Sequence, residues 1–173
     1  MYKYPLMKNN ISSDDLKLLI NHLKKPNTQL TQSAKVAEFE KKWSTWLGVK
    51  YSVFVNSGSS ANLLSMSIIK YLHGEGEIIV PALTWVSDIA SVIQNDCKPV
   101  FVDINMKNLS MNTDSIIQSI TKKTKAVFIT HAQGFNGLDN KLIIELKKRN
   151  IPLIEDVCES HGAFFKKKKL GSF

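Results

Sequence analysis

The chain has 173 residues, of which 43% are hydrophobic and 22% are charged, and its formal net charge at pH 7 is +8. This length and balance suit one soluble domain with a substantial core, and no apolar run reaches the roughly 18 residues of a membrane-spanning helix. Residues 1–5 lack the apolar stretch of a secretory signal. We therefore expect a cytoplasmic protein without a membrane partner.

The positive charge comes almost entirely from lysine, because Arg149 is the only arginine. Surfaces that read nucleic acids rely on arginine for bidentate contacts, so no nucleic-acid partner is expected. The densest cluster, residues 166–169, predicts a solvated basic turn. The two cysteines, Cys97 and Cys158, lack metal-type spacing, so we expect plain thiols and no metal site.

Two helices are predicted before any strand. Residues 12–15 supply hydroxyl and carboxylate caps for a helix start, and the apolar stripe of residues 16–23 runs up to Pro26, which ends the helix. Residues 33–47 place apolar side chains at spacings of three and four, which predicts a second helix. Gly48 stands where a helix C-cap belongs.

From residue 51 onward, short apolar runs alternate with amphipathic helices. Nearly all-apolar strands between helices are typical of a parallel sheet that is covered on both faces. The sequence therefore predicts an α/β fold with a three-layer, mostly parallel, doubly wound sheet. The predicted strands are residues 51–55, 77–80, 99–102, 126–130 and 151–154, and the predicted helices are residues 59–72, 85–94, 113–120 and 138–148.

Ligands of an open parallel sheet bind beyond the carboxyl ends of its strands, so the loops after the strands hold the candidate site residues. The loop at residues 56–62 combines a glycine with serines and leads into a helix. Free amides, the helix dipole and hydroxyl groups together make a phosphate cradle. The alternative is that Ser57 or Ser59 only caps the helix. Neither a Walker loop nor a dinucleotide fingerprint is present.

Three later loops add further candidates. Trp85, after the second predicted strand, is placed either to stack on a planar cofactor or to pack in the protein. His131 follows the fourth strand, where a structural role is the simpler interpretation, and two nearby glycines indicate a close approach. Asp156 follows the fifth strand, where a carboxylate either meets a cation such as a protonated ring nitrogen or caps the next turn.

Together these segments resemble the DegT/StrS-type family of sugar aminotransferases and dehydratases, which depend on pyridoxal 5′-phosphate (PLP). The resemblance implies the large domain of the PLP-transferase fold, incomplete at its C-terminal side. In these terms, residues 1–25 are an N-terminal arm and helix, residues 26–173 are a partial PLP-binding large domain, and the small domain is absent. The matching segments are residues 30–32, 36–40, 57–61, 80–85, 99–103, 121–126 and 155–163.

The resemblance also implies roles for individual residues. The ligands that it implies for the cofactor phosphate are Gly58, Ser59 and Ser60. It places Trp85 on the pyridine ring and Glu159 near the ring hydroxyl. It pairs Asp156 with the ring nitrogen, and that pairing keeps the ring protonated, so that the ring accepts electrons as a carbanion forms.

The resemblance places the residue that anchors the cofactor after the Gly-Ser-Phe segment at residues 171–173. The aminotransferases of the family use a lysine there, which forms a Schiff base with PLP, so no catalytic residue is expected within the chain. The lysines at residues 166–169 are too near Asp156 to substitute for it. The sequence is therefore interpreted as an N-terminal fragment or a truncated gene product.

For the full-length protein, the resemblance implies a homodimer that transfers an amino group from a donor such as glutamate to a nucleotide-linked keto-sugar, in the biosynthesis of polysaccharides or deoxy-amino sugars. One alternative is the 3-dehydratase branch of the family, in which a histidine replaces the lysine. The form of the loop at residues 56–62 is slightly more similar to this branch. A second is a catalytically silent chain, whose open sheet edges predict poor solubility. A third is a nucleotide- or nucleic-acid-binding module, which predicts salt-sensitive binding.

Overall fold

The computed structural model describes residues 9–173, which divide into two compact units between Phe39 and Glu40. Helix α1 (Ser13–Leu23) lies in the first unit and begins with a capping box. The Ser12 hydroxyl accepts the Asp15 N–H at 3.1 Å, and the Asp15 carboxylate accepts the Ser12 N–H at 2.8 Å. This reciprocal pair satisfies two backbone donors and confirms the predicted helix start. The predicted domain boundary after residue 25 stays a prediction.

Helix α2 (Ala34–Leu47) ends at Gly48, as predicted. Gly48 has a φ of +86°, in the left-handed region that favours glycine. The N–H groups of Gly48 and Val49 both donate to the carbonyl of Ser44, at 2.9 and 3.0 Å. The carbonyl of Ser44, in the last turn, therefore receives its donors at a glycine C-cap.

The second unit contains a four-stranded parallel sheet in the order β2-β1-β3-β4. Its strands are β1 (Glu77–Pro81), β2 (Lys98–Val102), β3 (Thr124–Thr130) and β4 (Leu153–Asp156). The helices of this part are α3 (Gly58–His73), α4 (Val86–Gln94), α5 (Thr113–Ser119) and α6 (Asn140–Arg149), and a small antiparallel pair, β5 (Phe164–Phe165) and β6 (Lys168–Lys169), follows. The alternation confirms the predicted α/β architecture.

Helices cover both faces of the sheet, because successive side chains of a strand point to opposite sides. On one face, strand residues pack with α3 and α4; this core includes Met66, Ile69, Ile78, Val80, Val92, Ala126 and Phe128. On the other face, strand residues pack with α5 and α6; this core includes Ile79, Ile116, Val127, Ile129, Leu142 and Leu146. Three layers result, and burial on both faces explains why the central residues of β1 and β3 are apolar without interruption.

The predicted strand at residues 51–55 is wrong. In the part of the chain that the structure describes, this segment is irregular and pairs with no strand of the sheet. Tyr51 and Val53 are 75% and 78% exposed. The Phe54 N–H donates at 2.8 Å to a carboxylate oxygen of Glu40 and not to a strand. An apolar run predicts burial, but a strand also needs a neighbour to complete its hydrogen bonds.

The sheet order creates a switch point between β1 and β3. The chain leaves β1 for β2 on one side and returns to β3 on the other side of β1. Such a reversal opens a crevice beyond the carboxyl ends of the strands. In the register of the sheet, Thr130 at the end of β3 lies opposite Asp156 at the end of β4. None of the helices between residues 9 and 173 combines the length and the apolarity of a membrane span.

Candidate functional site

A cavity of about 450 Å³ lies at this crevice. The N-terminus of α3, the loop after β1, the end of β3 and the loops after β3 and β4 form its walls. Five of the six predicted cofactor-binding residues line it, namely Gly58, Ser59, Trp85, Asp156 and Glu159. The fold therefore gathers residues from distant loops into one site.

The N-terminus of α3 supplies an anion-binding geometry. Ser57 is the N-cap, and its hydroxyl accepts the N–H of Ser60 at 3.2 Å, while the N–H of Ala61 donates to the Ser57 carbonyl at 3.1 Å. The N–H groups of Gly58 and Ser59 have no intrahelical acceptor in an α-helix, and the dipole of this 16-residue helix favours a negative charge there. Capping by Ser57 and anion binding are thus compatible, because they use different amides.

Ser60 is the predicted cofactor ligand that does not line the cavity. Its hydroxyl donates to the side-chain oxygen of Asn56 at 2.7 Å and lies 3.2 Å from the Ser57 hydroxyl. A phosphate contact from Ser60 would require the hydroxyl to leave Asn56. The role of Ser60 stays a prediction.

Trp85 stands directly before α4 and lines the cavity. Its side chain is 71% exposed, so it is not a core side chain. The Trp85 carbonyl accepts the N–H of Asp88 at 3.0 Å, which holds the backbone at the start of the helix. An exposed aromatic ring beside a cavity suits stacking against a planar ligand.

Asp156, the last residue of β4, has one of the two roles that the sequence left open, the cap of the next turn, and its pairing with a cation stays a prediction. Its Oδ1 accepts the N–H of Cys158 at 2.9 Å, which caps the following turn, and its side chain also lines the cavity. The desolvation of Cys158, together with the neighbouring Asp156 carboxylate, raises the pKa of the Cys158 thiol to about 11. The thiol is therefore protonated near neutral pH and is a weak nucleophile.

Glu159 joins the loop after β4 to the loop after β3. Its Oε2 accepts the N–H of Gln133 at 2.6 Å. Gln133 has a φ of +55°, within a short 3₁₀ turn at Ala132–Gly134. A non-glycine residue in this region of backbone space is uncommon, and the Glu159 hydrogen bond helps to hold it there at the edge of the cavity.

Asp88 is a residue of the site that sequence reasoning missed. It lies in the first turn of α4 and is 0% exposed. Burial and the nearby carboxylate of Asp156 raise the pKa of Asp88 to about 6, although hydrogen bonds from Thr84 and Thr130 oppose the shift. A signal was present in the sequence, because Asp88 and Val92 are four residues apart and so share the buried face of a helix.

His131 belongs to a buried network next to the cavity. Its Nε2 lies 3.0 Å from Glu155 Oε2, and its Nδ1 accepts the N–H of Gly137 at 3.0 Å. Because Nδ1 is an acceptor, a neutral imidazole carries its proton on Nε2 and donates it to Glu155. The close approach predicted from the glycines occurs at Gly137, where a Cβ atom would lie 2.0 Å from the Ser110 hydroxyl.

Of the lysines at residues 166–169, Lys166 and Lys167 form the turn between β5 and β6, Lys168 and Lys169 form β6, and none of the four lines the cavity. Lys166 and Lys167 have φ values of +47° and +65°, which suits a tight hairpin turn. Lys168 Nζ donates to the Ser172 carbonyl at 3.1 Å, and Lys169 Nζ donates to the Trp46 carbonyl. This confirms the predicted basic turn.

Fold and site together define a class of protein. The doubly wound sheet places a helix N-terminus, an exposed aromatic ring and a carboxylate around one cavity, an arrangement that suits a planar ligand with a phosphate group. The chain belongs to the DegT/DnrJ/EryC1/StrS aminotransferase family, whose model matches residues 10–173. Members of this family are PLP-dependent sugar aminotransferases and dehydratases.

The chain is similar to both branches of the family. It is 34% identical to GDP-4-keto-6-deoxy-D-mannose 3-dehydratase of Escherichia coli O55:H7, over 100% of the chain and 45% of that protein. It is also 34% identical to GDP-perosamine synthase of Escherichia coli O157:H7, over 80% of the chain and 38% of that protein. The chain thus spans less than half of the length of these relatives.

A solved structure of GDP-4-keto-6-deoxymannose-3-dehydratase, with a trapped PLP-glutamate geminal diamine, superposes with a TM-score of 0.91 at 30% identity. The match covers 99% of this chain and 45% of that chain. The fold is therefore that of known PLP enzymes, which confirms the predicted fold class.

Proposed function

We propose that the protein is a PLP-dependent aminotransferase that transfers an amino group, from a donor such as glutamate, to a nucleotide-linked keto-sugar. In this proposal, residues 40–173 contribute to the cofactor-binding domain of a homodimeric cytoplasmic enzyme. The observation that carries the proposal is the convergence of three features on one cavity. These are the N-terminus of α3, the exposed ring of Trp85 and the carboxylate of Asp156.

The residues of the cavity fit PLP group by group. The amides of Gly58 and Ser59, with the Ser59 hydroxyl, would hold the phosphate, because they combine hydrogen-bond donors with the positive end of a helix dipole. Trp85 would lie against the ring. Asp156 would pair with the ring nitrogen. No lysine lines the cavity within the described residues 9–173, so the proposal does not include a Schiff-base residue from this part of the chain.

When bound, PLP supplies an electron sink for the carbanion that forms as an amino group moves. Asp156 holds the proton on the ring nitrogen, because a nearby negative charge favours the protonated form of a base. The hydrogen bond from the Cys158 N–H orients the Asp156 carboxylate. The Glu159–Gln133 hydrogen bond fixes the loop at the edge of the cavity.

The first test is cofactor retention by the chain, measured as visible absorbance after gel filtration with PLP. We expect the wild-type chain to retain PLP and both Ser59→Ala and Asp156→Ala to retain less. Ser67→Ala is a matched control, because Ser67 lies in the same helix and its hydroxyl bonds to Leu63 and Asn95, away from the site. Failure of the wild-type chain to retain PLP would contradict the proposal.

A second candidate is the 3-dehydratase activity. It is favoured by the dehydratase similarity, which covers 99% of the chain with a TM-score of 0.91, and by the form of the loop at residues 56–62. The two activities give different products from a GDP-linked keto-sugar and glutamate. Mass spectrometry of the full-length protein's product would show an aminated sugar for the aminotransferase and a sugar that lacks one hydroxyl for the dehydratase. Retention of PLP without either product would favour the catalytically silent alternative.

A further inference from the structure

A second acid, Asp88, lies behind the wall of the cavity near Asp156. Asp88 is fully buried, and its Oδ1 accepts the side-chain N–H of Asn62 at 2.7 Å. Its Oδ2 meets two hydroxyl groups, those of Thr84 and Thr130. Asn62, Thr84 and Thr130 all line the cavity, so they connect Asp88 to the site although Asp88 itself lies behind them.

A count of hydrogens around Asp88 indicates its protonation state. Thr84 Oγ1 lies 2.6 Å from Thr130 Oγ1, Thr130 Oγ1 lies 3.0 Å from Asp88 Oδ2, and Thr84 Oγ1 closes the triangle by a short contact with Asp88 Oδ2. Each hydroxyl has one hydrogen, which leaves two hydrogens for three oxygen–oxygen contacts. If Asp88 were ionised, one contact would bring two oxygens together without a hydrogen. A proton on Asp88 Oδ2 completes the ring of three donors.

Electrostatics favour the same state. The carboxylate of Asp156 lies close enough to Asp88 to raise the pKa of Asp88, and two ionised carboxylates near each other repel. The other titratable groups near this pair are Cys158 and Glu159, in the loop after β4, and neither is a cation. Burial, followed by the Asp156 charge, raises the pKa of Asp88.

Asp156 differs from Asp88 in its access to the cavity. Its Oδ1 accepts the backbone N–H of Cys158 at 2.9 Å, and its side chain lines the cavity, whereas Asp88 is fully buried. Because desolvation disfavours a charged carboxylate, burial favours the protonated form of Asp88.

We propose that Asp88 is the proton-holding partner of Asp156. When it holds the proton, Asp88 completes the hydroxyl ring, and the pair of acids then carries at most the one negative charge of Asp156. A single charge matches one protonated ring nitrogen of an aromatic ligand, whereas a doubly ionised pair would leave one charge without a partner. Asp88 is thus a positioning residue. The inference rests on the proposed function for the identity of the ligand, but the proton assignment does not depend on it.

The test is a carbon-13 NMR titration of aspartate carboxyl groups in the wild-type chain, without PLP, between about pH 3 and pH 8. The Asp88 resonance is assigned by its absence in Asp88→Asn. We expect it to titrate near pH 6, and to move towards the ordinary aspartate value of about 3.9 in Asp156→Asn. Asp103→Asn is a matched control, because Asp103 is exposed, and it should leave the Asp88 resonance in place. An Asp88 resonance that titrates near 4 in the wild-type chain would overturn the proposal.

Binding of PLP gives a second readout. Asparagine keeps the shape of a protonated aspartate, so we expect Asp88→Asn to bind PLP at least about tenfold more tightly than Asp88→Ala, which leaves the Asn62 and hydroxyl donors without a partner. Equal affinities would overturn the proposal. If Asp88 titrates near pH 6 and PLP does not bind at all, the proton assignment stands and the proposed function fails. If PLP binds and Asp88 titrates near 4, the reverse holds.

Discussion

Two consecutive residues with carboxylate side chains, Glu155 and Asp156, end β4 and have different surroundings. Successive side chains of a strand point to opposite faces, so Glu155 enters a closed network and Asp156 lines the cavity. Burial alone would raise the pKa of Glu155, but hydrogen bonds from His131 and from the N–H groups of Gly171 and Phe173 lower it overall. Asp156 instead faces another acid, Asp88.

Glu155 and Asp156 differ in the hydrogen-bond donors that surround them, and this difference separates their roles. Both oxygens of Glu155 are occupied: Oε2 accepts from Gly171 at 2.9 Å and contacts His131, and Oε1 accepts from Phe173 at 2.9 Å. A carboxylate with this many donors is a structural element. Asp156 has few donors and an open side, which leaves it available to a ligand.

The largest expected effect is on the free energy of unfolding, and it comes from substitution of Glu155. Glu155→Ala removes the acceptor of His131 and of two backbone N–H groups, so we expect a loss of about 3–5 kcal/mol in the free energy of unfolding. Urea unfolding near neutral pH measures it. Glu75→Ala is the control, because the Glu75 side chain is 61% exposed in its ion pair with Lys70, and it should cost no more than about 1 kcal/mol. Equal losses for the two variants would contradict the assignment.

Asp88 and Glu155 should also contribute to folding stability with opposite dependence on pH. The pKa of Asp88 is raised from 3.8 to about 6, so the folded chain binds this proton more tightly than the unfolded chain. Its contribution is therefore complete below about pH 4 and is lost as pH rises through about 6, with a change of at most about 3 kcal/mol. The pKa of Glu155 is lowered, so its contribution is lost in the other direction, as pH falls.

Unfolding free energies between about pH 4 and pH 7 test this contrast. We expect Asp88→Asn to remove the loss of stability with rising pH, because asparagine does not titrate. Asp103→Asn should keep the wild-type slope. Parallel profiles for wild type and Asp88→Asn would show that Asp88 titrates normally in the folded chain.

A smaller effect is expected from substitution of Asp156, and it concerns the affinity for PLP. Asp156→Ala should weaken PLP binding by about 10- to 100-fold, equivalent to about 1.4–2.8 kcal/mol, because it removes a charge-assisted partner of the ring nitrogen. Its cost in folding stability should be well below that of Glu155→Ala. Absorbance titration with PLP and urea unfolding of the same samples measure both. The opposite ranking, a large stability loss with unchanged PLP affinity, would reverse the assigned roles.

The smallest expected effect concerns Trp85. Its side chain is 71% exposed, so Trp85→Ala should change the free energy of unfolding by no more than about 0.5 kcal/mol. Loss of ring stacking should weaken PLP binding by about 1 kcal/mol, or roughly fivefold, and Trp85→Phe should restore most of it. Fluorescence or absorbance titration measures the change. A Phe variant as weak as the Ala variant would argue against stacking.

The sequence by itself determined the α/β order and the position of most site residues. Apolar periodicity, helix caps and glycine C-caps are local signals, as Ser12 and Gly48 show. The rule that ligands bind at the carboxyl ends of parallel strands then selected loops that meet in space, because five of the six predicted residues line one cavity.

The tertiary structure alone decided which neighbours these residues have. Residues 51–55 are as apolar as a strand, yet no strand pairs with them in the described part of the chain. Ser60 is one residue from a cavity-lining serine, yet its hydroxyl bonds to Asn56. Asp88 shows no unusual motif, yet the packing of α3, α4 and β3 buries it beside Asp156. Strand pairing, hydrogen-bond partners and desolvation all depend on groups far apart in sequence, and only the folded chain brings those groups together.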